Sequence, residues 1–298
     1  MRRGGSEAWA PGARDHRTGD AGSVPAMATL VCFHAHPDDE AISTGGVMRL
    51  AADAGHRVVL VVATRGERGE IVPGVLDEGE QLALRRTAEV HAAADELGVD
   101  RVVFLGFVDS GMMGEPTNDE PWTFWQSDVE SAARRLATIL DEEDADALTI
   151  YDDNGGYGHP DHIQVHRVGM RAAEMAGVTR VLESCINRTA IRRMVEAVAS
   201  GEAPSPFPEG AEPPDLDDAS FGVEEDVITH LADVTSAAPA KRAALRHHRS
   251  QVSDDHFFLA LPDEAFTVAF GTEWFIGHGP VADETGPLHG IVTPFTPG

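Results

Sequence analysis

Residues 30–40 read LVCFHAHPDDE, an apolar run that ends in a histidine, a proline and three consecutive acids. A short buried strand that ends in cation-binding side chains is typical of an open α/β sheet, which presents ligands at the carboxyl ends of its strands. Pro37 fixes its own φ and biases His36 toward an extended conformation, so the chain leaves the strand in a turn. The stretch therefore predicts a strand whose end carries an active site.

The three acids also have a simpler interpretation as helix caps, because they stand where a new helix begins. Acids in a first helical turn gain about 0.3–1 kcal/mol from the helix dipole, and Asp is a good N-cap. Capping needs only one or two acids, however, and gives no reason for the His-Pro pair. The H-x-x-D spacing lets His36 and Asp39 turn toward one point and leaves Asp38 free between them.

A second predicted strand ends in the same way. Residues 147–152 read ALTIYD, and the polar loop DNGGYGHPDH follows over 153–162. If the two strand ends are neighbours, His159 and His162 face the first His-Pro-Asp motif. Two histidines and one carboxylate, with room for water, are the ligands of a catalytic zinc site and equally of a facial-triad iron site.

Predicted strands and helices alternate along the chain. The apolar runs predict strands over 28–34, 57–64, 101–107, 147–152 and 178–186. The segments between them predict helices over 40–54, 79–97, 125–143 and 161–176. This alternation predicts an α/β fold, a Rossmann-like open, mostly parallel sheet with helices on both faces and a C-terminal α/β extension. No G-x-G-x-x-G follows the first strand, so no dinucleotide site is expected.

The domain organisation follows from composition. Residues 1–26 lack an apolar segment and are predicted to form a disordered leader. Residues 27–298 are predicted to form a single domain. Within it we expect a core over 28–200, a flexible insertion rich in proline and acids over 203–221, and a C-terminal region over 222–298.

Composition also limits the partners. Among 298 residues, 50 acids stand against 23 Lys and Arg, a net charge of −27, so a nucleic-acid partner is not expected. No run of 18 apolar residues predicts a membrane helix. Cys32 and Cys185 lie in apolar runs and read as buried reduced thiols, as in a cytoplasmic protein. A small molecule remains as the expected partner, and no pattern indicates the oligomeric state.

Four motifs together carry a resemblance. AHPDDE at 35–40 and GGYGHPDH at 155–162 stand in this order at two predicted strand ends. With DSGMMG at 109–114 and HRSQ at 248–251, they resemble the PIG-L/LmbE family of metal-dependent N-deacetylases. Within the family, the likeness is strongest to the branch that deacetylates N-acetylglucosaminyl-inositol in the mycothiol pathway. The resemblance implies a zinc-dependent hydrolase that removes an N-acetyl group from such an amino-sugar conjugate.

The resemblance also implies roles for the first motif and its partner. His36, Asp39 and His162 would hold the metal, with zinc expected and Fe²⁺ as the alternative. Asp38, adjacent but not a ligand, would be the general base that takes a proton from water and returns it to the leaving amine.

The second motif would supply the remaining catalytic groups. His159 is expected to act as a cationic stabiliser of the tetrahedral oxyanion or as general acid. Asp161 would orient His159 and tune its pKa. Tyr157, on the flexible GGYG loop, would give the oxyanion a further donor.

Two residues elsewhere match substrate contacts of the family. Arg86 and Glu89 read on their own as a solvated helix face with an i,i+3 pair. By resemblance, Arg86 falls at a substrate-contacting arginine and Asp109 at a substrate-contacting aspartate. Such groups suit the hydroxyls of a sugar and a cyclitol.

Three rival functions share these ligands. A mycothiol S-conjugate amidase would use the same metal site on a bulkier substrate, and the motifs do not separate the two. A facial-triad iron oxygenase usually has a β-barrel scaffold, which the α/β alternation contradicts. A non-catalytic sugar-binding module would not need Asp38 beside a ligated Asp39.

Overall fold

The computed structural model describes residues 27–202, 215–216, 218, 220–281 and 286–297. The predicted leader, 1–26, lies outside the described residues, as does most of the predicted insertion, 203–221. The division into core, insertion and C-terminal region therefore stays a prediction.

Eight strands and ten α-helices form within the described ranges. The strands are β1 (Thr29–His34), β2 (Arg57–Val62), β3 (Arg101–Phe104), β4 (Ala147–Tyr151), β5 (Val181–Cys185), β6 (His230–Asp233), β7 (Thr272–His278) and β8 (Val292–Pro294). The helices are α1 (Asp39–Ser43), α2 (Gly45–Asp53), α3 (Leu82–Leu97), α4 (Val129–Glu142), α5 (Gly155–Gly158), α6 (Pro160–Ala176), α7 (Arg188–Ala199), α8 (Ala238–His247), α9 (Phe257–Ala260) and α10 (Asp263–Phe270).

All eight strands belong to one sheet of order β3-β2-β1-β4-β5-β7-β6-β8. The first five strands of the chain pair in parallel, and the last three pair antiparallel at one edge. The α/β prediction is confirmed, and the C-terminal region extends the same sheet. β1 lies between β2 and β4, so the two strands that carry His-Pro-Asp motifs are neighbours and end on the same side.

Alternate residues of the central strands feed two separate cores. Leu30 and Cys32 of β1 belong to a cluster that includes α2, α3 and α8. Val31 and Phe33 belong to the opposite cluster, which includes α4 and α6. Because side chains alternate between the faces of a sheet, helices cover both faces, and the strands read as continuous apolar runs. The two cysteines are free and buried, as predicted.

Two predicted strands are shorter than expected. β3 ends at Phe104 rather than 107 because Gly106, with φ +78°, interrupts the extended conformation, although the N–H groups of Leu105 and Phe107 still donate to Val62 O and Ala63 O. β5 begins at Val181 rather than 178 because the Val178 N–H donates to Ala173 O at the end of α6. Val178 therefore closes the end of α6, and residues 178–180 connect the helix to the strand.

The predicted helix over 40–54 is wrong as a single element. α1 and α2 are separated at Thr44, whose φ of −137° is not helical. Thr44 Oγ1 lies 2.7 Å from Nε2 of His34, the last residue of β1. Two further helices begin later than predicted. α3 begins at Leu82 rather than 79, and α4 begins at Val129 rather than 125, with Asp128 as its N-cap.

A buried ion pair fastens the C-terminal region to α2. Lys241 Nζ lies 2.6 Å from Glu273 Oε1, with both side chains at most 2% exposed. The Glu273 carboxylate also accepts from the N–H groups of Gly46 and Val47 at 2.8 and 2.9 Å.

Within the described residues, no helix combines the length and the apolar character that a membrane span requires.

Candidate metal centre and active site

The ends of β1 and β4 bring three histidines together. Because these strands pair in parallel, the turn after β1 and the loop after β4 meet at one edge of the sheet. The ring of His36 lies 4.7 Å from that of His159 and 5.5 Å from that of His162, measured between centroids. All three are buried. The predicted juxtaposition of the two motifs is present.

Asp39 lies between two of these histidines. Its carboxylate is 3.4 Å from His36 Nδ1 and 3.4 Å from His162 Nε2, and it accepts the His36 N–H at 2.8 Å. Burial alone would raise the pKa of Asp39, but the charges of His162 and His36 outweigh it and hold the pKa well below the usual value. The carboxylate is therefore ionised beside two imidazoles.

The environment of His162 leaves one nitrogen without a hydrogen bond. Its Nδ1 lies 3.2 Å from Gly155 O, so Nδ1 carries the proton that this carbonyl accepts. In the neutral ring, which is the form that binds a metal, Nε2 holds a lone pair; this nitrogen is buried and has no hydrogen-bond partner. This lone pair faces Oδ1 of Asp39 at a distance of 3.4 Å. Two acceptors so close together are compatible with a cation bound between them.

The donor set thus fits a divalent metal of the zinc class. Nitrogen and carboxylate donors in this mixture suit zinc or ferrous iron. Two groups of three ligand atoms lie within 4.8 Å of one another in the described residues. They are His36, His159 and His162, and His36, Asp109 and Asp161. Asp39 is in neither group, although it contacts both His36 and His162.

Asp38 stands beside this cluster with its carboxylate unused as a cap. It occupies the N-cap position of α1 without a side-chain capping hydrogen bond, so the capping interpretation fails for this acid. Its φ of +103° is a strained conformation for a non-glycine residue, worth about 1–3 kcal/mol. Oδ2 lies 3.2 Å from Nη2 of Arg86. Burial raises the pKa of Asp38 to about 6, with Arg86 opposing the rise.

Asp161 does contact His159 as predicted, but through its backbone N–H and not through its carboxylate. The Asp161 N–H donates to His159 Nδ1 at 3.1 Å. The Asp161 carboxylate instead lies 3.1 Å from His36 Nε2, because Ser110 draws it away from His159. Both oxygens of that carboxylate accept from Ser110, one from its N–H at 2.9 Å and one from its hydroxyl. Asp161 therefore orients His36.

The backbone bond from Asp161 also determines the tautomer of His159. Because Nδ1 accepts, a neutral imidazole carries its proton on Nε2. Burial lowers the pKa of His159 to about 2, and the nearby His36 and His162 add to the shift. This environment favours a neutral hydrogen-bond donor over the predicted cation.

Tyr157 lies on a loop whose shape requires glycine. Gly155, Gly156 and Gly158 all adopt positive φ, between +67° and +86°. The Tyr157 ring stands edge-on to His162 at 5.0 Å and is 39% exposed. Burial raises the pKa of its hydroxyl further above the usual value, so the group is a proton donor at neutral pH. The Gly156 carbonyl accepts from Gly222 N–H at 2.6 Å, which fastens the loop.

Arg86 and Asp109 are both buried and bonded to the protein. Arg86 donates from Nη1 to Gly66 O at 2.9 Å and from Nη2 to Pro37 O, and its Nε has no partner. Asp109 accepts from the N–H groups of Gly111 and Arg68 and lies 3.6 Å from His36 Nε2. Their predicted substrate contacts stay predictions.

Sequence reasoning missed several residues that support the cluster. The Tyr151 ring stacks on His162 at 4.2 Å and 8°, and its hydroxyl lies 2.8 Å from His34 Nδ1. Both residues sit at strand ends, which is a signal that could have identified them. His166 also belongs to this support, because its Nδ1 lies 3.1 Å from Tyr151 O.

Comparison with known proteins shows what this chain is similar to. Residues 31–173 match the family model described as PIG-L, GlcNAc-PI de-N-acetylase. A protein of Acidothermus cellulolyticus, named 1D-myo-inositol 2-acetamido-2-deoxy-alpha-D-glucopyranoside deacetylase, is 41% identical over 259 residues, which cover 83% of this chain and 88% of that protein.

Solved structures share the fold at lower identity. The N,N'-diacetylchitobiose deacetylase of Pyrococcus horikoshii matches with a TM-score of 0.53 and 21% identity, over 88% of each chain. GalB, a 4-carboxy-2-hydroxymuconate hydratase from Pseudomonas putida, matches with a TM-score of 0.52 and 19% identity, over 87% of this chain and 99% of its own. Since two chemistries share it, the fold alone does not decide the reaction. By the family model and the 41% identical relative, this chain belongs to the PIG-L family of hydrolytic N-deacetylases.

Proposed function

We propose that the chain hydrolyses the N-acetyl group of 1D-myo-inositol 2-acetamido-2-deoxy-α-D-glucopyranoside, the compound in the name of its 41% identical relative. The products are acetate and the free amino sugar linked to inositol. One observation carries the proposal. The Asp38 carboxylate, which makes no capping hydrogen bond, lies next to the buried cluster of His36, Asp39 and His162, and Nε2 of His162 in that cluster has no hydrogen-bond partner.

The metal of the proposal is zinc, held by His36, Asp39 and His162. His162 offers Nε2, since its Nδ1–H is bonded to Gly155 O. His36 offers Nδ1, since its Nε2 faces the Asp161 carboxylate. A zinc ion bound there would supply Lewis acidity, which polarises an acetyl carbonyl and makes water a stronger acid. Ferrous iron suits the same donors.

Asp38 is the general base in this proposal. Its carboxylate takes a proton from the attacking water as the new C–O bond forms. It then passes that proton to the nitrogen of the leaving amine, so that the C–N bond breaks as the tetrahedral oxyanion collapses to acetate. Arg86 Nη2 beside Oδ2 fixes the orientation of the carboxylate and favours its ionised form. A base of pKa near the working pH is suited to both proton transfers.

Two neutral donors would stabilise the oxyanion. His159 presents Nε2–H because its Nδ1 accepts from the Asp161 N–H. Tyr157, on the glycine loop and 39% exposed, would present its hydroxyl as the second donor. One such donor is typically worth about 2.7–4 kcal/mol of transition-state stabilisation.

The substrate side of the site faces the segment after β3. Asp109 lies within 3.6 Å of His36, and the following Met112 and Met113 are about half exposed, at 50% and 51%. We place the sugar hydroxyls against Asp109 and the inositol beyond it, toward these methionines. A small molecule is the only partner that this proposal requires.

The test is release of acetate and free amine from N-acetylglucosaminyl-inositol by enzyme stripped of metal and then reloaded with zinc. We expect activity to return with zinc and to fall at least about 100-fold in Asp38→Asn, which keeps the shape but removes the base. Asp153→Asn, in the exposed loop after β4, is the matched control and should keep full activity.

Three other outcomes are informative. If the chain instead prefers to hydrolyse the amide bond of a mycothiol S-conjugate, a bulkier substrate that carries a thioether, it is a conjugate amidase. Zinc bound without amine release from either compound would refute the substrate. Full activity in Asp38→Asn would refute the mechanism.

A further inference from the structure

The HRSQ segment, residues 248–251, directly follows α8 and has no role in the proposed chemistry. Even so, His248 and Ser250 are 0% exposed, and both make short hydrogen bonds to acidic residues of other elements. Those two acids, Glu40 and Glu89, lie next to the groups that hold Asp38. The segment, which belongs to the C-terminal region, is therefore connected to the active site through these two acids.

One connection runs through Glu40 to the backbone of Asp38. His248 Nε2 lies 2.6 Å from Glu40 Oε1. The other oxygen of Glu40, Oε2, accepts the Asp38 N–H at 2.9 Å. Glu40 is completely buried, so its carboxylate has no water to replace either bond. The His248 imidazole thus orients the Glu40 carboxylate, which in turn fixes the Asp38 backbone through a hydrogen bond.

A second connection runs through α3 to the Asp38 side chain. Ser250 donates to Glu89 from its N–H at 2.9 Å and from its hydroxyl at 2.6 Å. Glu89 follows Arg86 by three residues on the same helix, so the two lie on one face and are linked through the helix backbone rather than by a bond between their side chains. Arg86 Nη2 in turn lies 3.2 Å from Asp38 Oδ2.

The same segment also supports the loop that Arg86 contacts. Ser250 O accepts from Val72 N–H at 2.9 Å, and Gly66 O accepts from Arg86 Nη1 at 2.9 Å. At Gly69 a Cβ atom would lie 2.2 Å from Gln251 Oε1 and 2.6 Å from Arg86 Nη1. Loop 66–72, Arg86 and the HRSQ segment are therefore packed as one unit.

We propose that His248 and Ser250 are positioning residues for Asp38, acting through Glu40 on its backbone and, on its carboxylate, through helix α3, which carries both Glu89 and Arg86. The inference rests on the proposed function, in which Asp38 is the general base. Asp38 needs such support because its φ of +103° is strained and its side chain makes no capping bond. Without both connections, the backbone is expected to relax and carry the carboxylate away from the histidine cluster.

Attachment of the C-terminal region to the rest of the fold is a separate matter. Lys241 and Glu273 provide it through the ion pair that reaches the N-terminus of α2. Lys241 Nζ also donates to Ile42 O at the end of α1, and within the described part of the chain it makes no hydrogen bond to Asp38 or Glu40. This pair gives a control of the same burial and in the same region. A variant of Lys241 should lower stability without changing the orientation of Asp38.

The kinetic test compares His248→Ala and Ser250→Ala with Lys241→Met and with His247→Ala, the half-exposed neighbour of His248. Both HRSQ variants should lose about 10- to 100-fold in kcat with KM within about twofold, because a small misplacement of a catalytic group costs that much. Lys241→Met, assayed while folded, and His247→Ala should keep the wild-type kcat. Zinc content should be one per chain in all of them.

Glu40 provides a rescue that a purely structural role would not give. In Glu40→Gln, the amide oxygen still accepts the Asp38 N–H, and the amide NH₂ can donate to a neutral His248 that carries its proton on Nδ1. Glu40→Ala removes both bonds. We expect Glu40→Gln to keep most of the kcat and Glu40→Ala to lose as much as His248→Ala. Equal losses in the two would overturn the proposal.

A readout without substrate separates this inference from the proposed function. Hydrogen exchange of the peptide that spans residues 35–41 should be about fivefold faster or more in His248→Ala than in wild type or His247→Ala, as loss of one hydrogen bond predicts. If wild type hydrolyses no N-acetyl amino sugar, the proposed function fails and exchange alone decides about His248. Wild-type exchange in His248→Ala, or a wild-type kcat in both HRSQ variants, refutes the positioning role.

Discussion

Oδ2 of Asp161 lies 3.1 Å from Nε2 of His36, 125 residues away in the chain. Ser110 fixes this carboxylate from the other side, and Asp161 is completely buried. Burial alone would lower the pKa of His36, but the carboxylates of Asp109, Asp161 and Asp39 outweigh it and raise that pKa well above the usual value. The bond to Asp161 leaves Nδ1 of His36 as the nitrogen that faces Asp39.

Replacement of Asp161 by Asn should therefore weaken zinc binding. The amide no longer orients and polarises the imidazole, and outer partners of this kind are typically worth about 10- to 100-fold in metal affinity. Competition with a chromophoric chelator measures the dissociation constant. Asp146→Asn is the matched control. Among the described residues, the Asp146 carboxylate accepts the backbone N–H of Thr29, at the start of β1 and far from the histidine cluster. Equal affinities in the two variants would contradict the role of Asp161.

The central sheet and both His-Pro-Asp turns were predictable from the sequence because they depend on local signals. Continuous apolar runs identify strands buried on both faces, and polar residues at their ends identify the site. The histidine cluster follows from these signals once the two strands are neighbours. His36, Asp38 and Asp39 lie within five residues of the end of β1, and His162 lies in the first turn of α6, the helix that follows the loop after β4.

Contacts between distant segments were not predictable in this way. The break between α1 and α2 depends on Thr44 bonding to His34, and the support of Glu40 depends on His248, 208 residues away. Likewise, Ser110 decides which histidine Asp161 orients. Such pairings depend on how elements pack, and a single sequence contains no periodicity that reveals them.

Tyr151 and Tyr157, the two tyrosines of the chain, should differ in their effect on stability. Tyr151 is 3% exposed, and its hydroxyl bonds to the buried His34. Tyr151→Phe leaves His34 Nδ1 without this partner and should lower the free energy of unfolding by about 1–3 kcal/mol. Tyr157→Phe, at a half-exposed position, should change it by less than about 0.5 kcal/mol. Urea unfolding of the zinc-saturated proteins measures both, and equal changes would refute the distinction.

His248 should make stability depend on pH. Burial lowers its pKa, but Glu40 and then Asp38 raise it more, against the opposing charge of Arg86, so the net pKa lies above 6.5. The folded state therefore holds this proton more tightly than the unfolded state. The resulting stabilisation is complete below about 6.5 and is lost as pH rises through the folded pKa.

Urea unfolding of wild type between pH 6 and 9 should thus show a free energy of unfolding that falls with rising pH. His248→Gln should have a flatter profile, because the titrating group is gone while a donor to Glu40 remains. His247→Gln should keep the wild-type slope, since His247 is partly exposed and 3.3 Å from an exposed Glu96. Parallel profiles for wild type and His248→Gln would remove His248 as the source.

Gly169 on α6 should resist replacement by alanine, although alanine is the better helix former. An added Cβ would lie 2.4 Å from Cγ2 of Ile150 on β4, in the contact that sets the helix with His162 against its strand. The overpacking should cost about 1–3 kcal/mol, more than the roughly 1 kcal/mol gained in helix propensity.

A double-mutant cycle identifies the clash as the cause. Ile150→Ala removes Cγ2 and leaves Cβ at 3.4 Å, which is tolerable, so Gly169→Ala should cost much less in that background. Ile150→Val keeps Cγ2 and should give no rescue. A favourable coupling of about 0.5–3 kcal/mol with Ile150→Ala alone would locate the strain at this one contact. Additive effects in both cycles would mean that α6 shifts as a body, and zinc affinity should then fall in Gly169→Ala, because His162 moves with the helix.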